Sequence, residues 1–573
     1  MKSILLFLFC FCLQFVSHSQ TTPFEKSKGM ESATYFQAIE FYKKLAGTSS
    51  RIAIKEQGPT DAAYPLHLVL VSNDSKFDPA VWHKQGKVVI LINNGIHPGE
   101  PDGIDASMML VRDIANNKIK LPNNVALAII PVYNIGGCLN RNAFSRVNQN
   151  GPLEYGFRGN SQNLDLNRDF TKCDSKEAQS FAKLFHYLDP DILIDNHVSD
   201  GADYQHTMTL LTGQYDKLGG RLGEFLKYTF EPSLYTEMAK RKWDMVPYVN
   251  FETLDIQKGM TAFYDPPRYS SGYAALFQTI AFVPETHMLK PFADRVRSTY
   301  DLMRTVIQQV AIYSTSIRML RVQTREKING QKTFALAWVP DSTKADTIVF
   351  KGYEQGYKTS GATGLSAMYY DHSKPYTKKI KYYNQFNPSN TVNKPRAYLI
   401  PHGWQKVIEL LKLNNVTIEQ LSHDSMIEVN AYHIDDYKSY ARPYEKHHKN
   451  YEVKVSSSKQ KIKFLKGDYI IPMGQAFDRY IVEMLEPTGD DSFFAWNFFD
   501  AILQQKEGYS DYRWEDIAAD VLQKDPGLKK RLEDRRAADT SFAHNSEAQL
   551  DFIYKNSPYY EPVHLRYPVY RLN

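Results

Sequence analysis

Apolar positions change character along the chain. From about residue 85 to residue 290, unbroken apolar runs alternate with stretches of helical spacing. Residues 88–92, 125–132, 192–194 and 281–283 are continuous runs, which predict strands buried on both faces rather than strands with one wet side. After Pro101, Ile104, Met108, Met109, Val111 and Ile114 recur at helical spacing. Asp174 and Glu177 stand at capping-box spacing before a helix reaching toward Tyr187. Buried strands separated by helices predict an α/β fold, with a mostly parallel or mixed sheet covered by helices.

A long closing helix is expected from Phe292 to about Ile317. Beyond about residue 325 the runs become short and aromatic, as at 347–350, 451–455 and 461–465, with helical segments at 404–413 and 514–522. The change predicts two domains, a catalytic one over 21–325 and a C-terminal mixed, strand-containing region over 326–573. Residues 1–20 have the plan of a secretory signal. Lys2 precedes an apolar stretch over 4–16 broken by Gln14, and Ser17 and Ser19 lead to a cut near Gln20. That stretch falls short of the ~20 residues of a spanning helix. The expected location is secreted or periplasmic, with no transmembrane segment.

Composition narrows the picture by exclusion. The 573 residues are 43% hydrophobic and 23% charged, which rules out a disordered or fibrous protein. A net charge of +5 without a Lys/Arg block rules out a nucleic-acid arm. Export would leave Cys138 and Cys173, either as a disulfide or as two buried thiols. The chain has no Cys-x-x-Cys pair, no His-Glu-x-x-His helix, no Gly-x-x-x-x-Gly-Lys-Ser/Thr loop and no Gly-x-Ser-x-Gly elbow.

Three polar segments follow strands, at the sheet edge where α/β proteins bind ligands. They are His97-Pro98-Gly99-Glu100, Asp165-Leu166-Asn167-Arg168 and Asp195-Asn196-His197. An imidazole and a carboxylate three residues apart in a tight turn can share one ion, and a second imidazole from another strand end makes a His₂Glu set. Three protein ligands leave a zinc position open for water, whose pKa the metal lowers while it polarises a carbonyl. A further carboxylate must move the proton, and Glu285, in Phe282-Val283-Pro284-Glu285, is placed to do so.

The order His-x-x-Glu, Asp-x-Asn-Arg, His, Glu resembles the zinc carboxypeptidase family over about residues 85–290. The resemblance implies one zinc ion per chain held by His97, Glu100 and His197. It implies Asn167 and Arg168 as the grip on a substrate's C-terminal carboxylate, which suits the planar donor fork of arginine. Glu285 is implied as general base, and Asp165 as the carboxylate that orients His97. Arg158 best matches the family's oxyanion arginine, with Arg141 and Arg146 as alternatives. Tyr264, Tyr269 and Tyr273 compete for the tyrosine that covers substrate.

Two departures stand out. His-Pro-Gly-Glu is closer to the family's cytosolic branch, and Val198 stands where Ser is common. His287 is read as a hydrogen-bonded histidine, and His447-His448 as a solvated basic loop. The expected function is an exported peptidase acting on peptides with a free C-terminal carboxylate. A zinc amidase for cell-wall peptides is the first alternative. The second is a binding protein that uses the aromatic C-terminal region.

Overall fold

The buried runs form the middle of a nine-stranded sheet. The computed structural model describes residues 20–250 and 258–573. The expected leader stretch at 4–16 lies outside the described residues. The strands are β1 (Ile52–Pro59), β2 (Pro65–Val71), β3 (Val88–Asn93), β4 (Val125–Ile130), β5 (Ile192–Asp195), β6 (His197–Ser199), β7 (Met208–Thr212) and β8 (Val246–Pro247). After a short β9 (Met260–Thr261), which joins another sheet, β10 (Ile280–His287) completes the set. The order is β1-β2-β4-β3-β5-β10-β7-β8, with β6 beside β10. The centre is parallel, through β4, β3, β5 and β10, while β1, β2 and β7 add antiparallel flanks. The sheet is therefore mixed.

Successive residues of the central strands point to opposite faces. Val88, Ile90 and Ile92 enter one core with side chains of α1 (Tyr35–Thr48), α2 (Asp102–Ala115) and the long helix at 292–330. Val89 and Leu91 enter the other, with α3 (Lys176–Leu188) and α4 (Ser270–Leu276). That second core also contains Tyr398, Leu411, Tyr480 and Phe494, from far along the chain.

Two helix ends differ from the pattern. Ser175, not Asp174, caps α3 by accepting from the Ala178 amide, and Glu177 is turned into the interior. The closing helix α5 (Phe292–Gly330) runs well past Ile317. Arg325 sits within it and donates to both Asp189 carboxylate oxygens. Near its start, the buried Arg295 forks onto Asp102 and donates to the carbonyls of Asn150, Gly151 and Met288. One side chain thus ties α5 to the loops around the strand ends.

The C-terminal region is strand-rich, with three further sheets. β11 (Thr333–Pro340) pairs with β14 (Phe386–Asn393). β12 (Asp346–Thr359) and β13 (Ser366–Tyr383) make a long hairpin with β9 at its edge. A six-stranded sheet has the order β16-β19-β15-β20-β17-β18. Its strands are β15 (Ala397–Ile400), β16 (Glu419–Gln420), β17 (Ser425–Ser439), β18 (Asn450–Phe464), β19 (Tyr469–Pro472) and β20 (Tyr570–Leu572). The apolar runs at 451–455 and 461–465 are the two ends of the single strand β18, whose polar middle is exposed. Cys138 and Cys173 are both free, buried thiols.

Candidate metal centre and catalytic cleft

After β3, the His97 carbonyl accepts from the Glu100 amide at 2.8 Å, closing the turn that carries both side chains. Gly99 between them lets Arg146 pack closely: a Cβ there would lie 2.6 Å from Arg146 Cδ, so the arginine would have to shift. His197 opens β6 and pairs in register with Glu285, which lies inside β10 rather than at its end. The ligand atoms of His97, Glu100 and His197 lie within 4.8 Å of one another, and all three side chains are buried.

Each imidazole is oriented by a carboxylate on its Nε2. His97 meets Asp165 at 2.9 Å, and His197 meets Asp195 at 3.2 Å. Both Nδ1 atoms therefore face Glu100, at 3.3 Å from His97 and 3.1 Å from His197. His97 Nδ1 is buried and makes no hydrogen bond, which is what a nitrogen reserved for a cation looks like. Two imidazoles and one carboxylate, each imidazole backed by a second carboxylate, fit zinc.

Charge is concentrated here. Burial pushes the Glu100 carboxyl up, but His97, Arg146 and His197 outweigh it and hold it well below the usual range. Asp165 is held low in the same way, burial being overcome by His97, Arg158 and Arg168. Glu285 goes the other way. Burial, opposed by His197 and reinforced by Glu100, pushes it up to about 8. A raised carboxyl beside lowered ones is the pattern expected where one acid must exchange a proton.

A cleft of about 510 Å³ opens on the three candidate ligands and is also lined by Arg146, Arg158, Asn167, Arg168, Tyr269 and Glu285. Arg158 donates through Nε to Asp165 at 2.9 Å, and Arg146 through Nη1 to Glu100 at 3.0 Å. Arg141 points elsewhere, onto Ser32 and the Glu154 carbonyl. Arg168 lies over the Tyr269 ring at 4.2 Å. Of the three tyrosines weighed from sequence, only Tyr269 lines the cleft. Tyr264 donates to Asp490, and Tyr273 is buried among aromatic rings and donates to Asn414. Tyr248 also lines the cleft.

His287 is hydrogen-bonded to the Ala202 carbonyl and accepts from the Leu289 amide. The solvated-loop reading of His447 is overturned. Its Nε2 bonds Asp174 at 2.7 Å, its ring stacks on Phe498, and the neighbouring Lys449 is buried. Three partnerships are not given by the sequence reading. Asp195 is named there only as part of the Asp195-Asn196-His197 segment, although two residues' spacing in extended chain shares a face and places it beside His197. Tyr444 and Glu445 reach residues 165–168 from the C-terminal region, with no local signal.

The zinc carboxypeptidase family model matches residues 39–190, a span that holds His97, Glu100 and the Asp165–Arg168 segment. The chain carries a region matching the zinc carboxypeptidase family. With that match and its carboxypeptidase relatives, it is a hydrolase of the metallocarboxypeptidase class. Carboxypeptidase 2 of Trichophyton rubrum is 22% identical over 506 residues, covering 82% of this chain and 84% of the relative. Carboxypeptidase 2 of Trichophyton tonsurans is 21% identical, covering 82% and 85%. Matches of this extent necessarily include residues beyond Arg325, so the likeness does not stop near residue 290. Among solved structures, the metallo-carboxypeptidase from Pseudomonas aeruginosa in complex with (2-guanidinoethylmercapto)succinic acid has a TM-score of 0.37 at 13% identity, covering 50% of this chain and 70% of that one. Carboxypeptidase A from Helicoverpa armigera gives 0.37 at 13%, covering 50% and 75%. Among the described residues no helix is long and apolar enough to cross a membrane.

Proposed function

We propose that this chain is an exported carboxypeptidase that releases the last residue of a peptide, using one zinc ion held by His97, Glu100 and His197. The observation that carries the reading is the convergence of these side chains at a cleft that also holds Glu285 and Arg168. Zinc, when bound, polarises a carbonyl and makes water acidic near neutral pH. The protein's own groups do the rest.

Arg168 and Asn167 bind the terminal carboxylate, the arginine through its planar fork. This anchors the substrate by its end and limits cleavage to one residue. Glu285 takes a proton from water on a carboxylate oxygen and passes it to the leaving nitrogen, a role suited to a buried group whose pKa is already raised. Arg158, on the cleft wall beside Asp165, donates to the developing oxyanion. Asp165 and Asp195 keep the two imidazoles presenting Nδ1.

The test is release of free amino acid from unblocked peptides by metal-loaded protein, alongside metal analysis. Stoichiometric zinc, and activity confined to peptides with a free carboxyl end, are expected. Equal cleavage of C-terminally amidated peptides would refute the reading.

A further inference from the structure

The turn at 444–447 reaches back to the catalytic cleft. Tyr444 and His447 exchange backbone hydrogen bonds, Tyr444 N to His447 O at 2.7 Å and His447 N to Tyr444 O at 3.1 Å. The two residues between them, Glu445 and Lys446, both have positive φ, 48° and 76°. Such a turn ordinarily carries glycine or asparagine at these positions. Two ordinary side chains held there mark a turn fixed by its surroundings.

The surroundings are the segment that grips substrate. Arg168 Nε donates to Tyr444 Oη at 3.0 Å, and the Asp165 amide donates to Glu445 Oε2 at 2.8 Å. The Tyr444 ring stacks on Trp496 with centroids 6.0 Å apart and planes 16° apart. His447 is fastened to Asp174. The turn thus holds both ends of residues 165–168 from outside the catalytic sheet.

A guanidinium can meet a carboxylate through its Nη1/Nη2 end or through its Nε/Nη2 side. Tyr444 occupies Nε, and the Asn167 carbonyl takes one Nη1 hydrogen at 2.9 Å. What is left for a ligand is the end of the fork, in one orientation above the Tyr269 ring. We infer that Tyr444 is a positioning residue that fixes Arg168 for end-on capture of the terminal carboxylate, so that the C-terminal region completes the specificity site. This rests on the reading of Arg168 as the carboxylate grip.

Tyr444→Phe tests it, because the ring and its stacking on Trp496 remain and only the hydroxyl is lost. Two competitive ligands separate the effects: an alkylsuccinic acid, which offers a carboxylate to Arg168, and a hydroxamate without a carboxylate. Dissociation constants are measured by calorimetry on zinc-loaded full-length protein, with melting curves to confirm folding. The succinate should weaken about 3–10-fold, as expected for one lost hydrogen bond, while the hydroxamate stays within about twofold. In peptide cleavage KM should rise with kcat little changed. Equal weakening of both ligands, no weakening of either, or failure of the parent protein to bind the succinate overturns the inference. If the parent protein binds the succinate but cleaves no peptide, the proposed function fails while the selective effect of Tyr444→Phe still decides this one.

Discussion

The two faces of the central sheet are covered in different ways. On one, Val88, Ile90 and Ile92 belong to a core whose buried members, among the described residues, run no further than Leu320, so it is built from the first part of the chain. On the other, Val89 and Leu91 belong to a core that continues through Phe185, Tyr273 and Phe277 into Tyr398, Leu411, Tyr480 and Phe494. The first core takes none of its buried apolar residues from the C-terminal region, which meets only its margin, where Tyr215 and Tyr235 adjoin Ile348 and Tyr382. The second is shared, and the cleft shows the same division: the candidate zinc ligands and Glu285 come from the sheet and its loops, while Arg168 is steadied from residue 444. A change of composition along the chain is therefore a poor guide to what can be separated in space.

Removing residues 331–573 is the harshest way to break the comparison. Phe185, Tyr273 and Phe277 are almost fully buried now. Exposing a few such side chains costs ~1.5–3 kcal/mol each, against a total stability of ~5–15 kcal/mol for a typical domain. The shortened chain should be insoluble or should bind hydrophobic dyes when expressed alone. A monomeric product with a cooperative melt would show that the second face closes by itself.

Glu285→Gln leaves both faces untouched and addresses the chemistry alone. Glutamine keeps the shape of the side chain but cannot carry the proton, so kcat should fall by about 10²–10⁴-fold with zinc content and melting temperature unchanged. Loss of metal in this variant would assign Glu285 to the ion rather than to the proton.

The candidate centre was legible because its chemistry is packed into short motifs that end buried strands. His97 and Glu100 are one turn apart, and the apolar run before each segment says where the turn lies. Register then brings Glu285 opposite His197, a contact no motif spells out. Tyr444 was invisible for the opposite reason: its partner is 276 residues away. A Tyr-Glu-Lys-His-His stretch flanked by lysine has the composition of a wet loop, and only the fold shows Lys449 buried and His447 bound to Asp174. The same blindness split β18 in two, since its Ser- and Lys-rich middle is exposed and carries no apolar pattern.

Asp165 sits where the two regions meet, accepting from His97 and Arg158 while its amide donates to Glu445. Asp165→Asn keeps the size but removes the charge that sets the His97 tautomer. Zinc affinity, measured by competition with a chelator, should fall about 10–100-fold. A matched Asp195→Asn variant should show a similar loss through His197, although the Asp195 carboxylate is bonded to His197 and Asn93, both within the catalytic sheet. A large loss in one and none in the other would mean that the two imidazoles are not equivalent holders of the ion.

His186 offers the gentlest test, one of the shared face alone. Its Nε2 bonds Asn414 Oδ1 at 3.1 Å, and its ring packs edge-on against Phe277 and lies near Phe477. Burial pushes its pKa down from 6.5 to about 4, the nearby Arg325 adding to the fall while Asn414 and Asp189 oppose it. Because the folded value lies below the unfolded one, the unfolded chain takes up the proton first as pH falls. Stability from this group is complete above about pH 6.5 and is lost progressively down to about pH 4. Other buried acids titrate in the same range, including Glu177 and Glu231, each pushed up to about 7, so the effect is read as a difference between wild type and His186→Gln. Glutamine can still donate to Asn414 but does not titrate. The advantage of wild type over the variant in denaturant unfolding should shrink by about 2 kcal/mol between pH 7.5 and pH 4.5. A difference that stays constant with pH would mean that the joint opens to water before the proton arrives, and that the second face is looser than its packing implies.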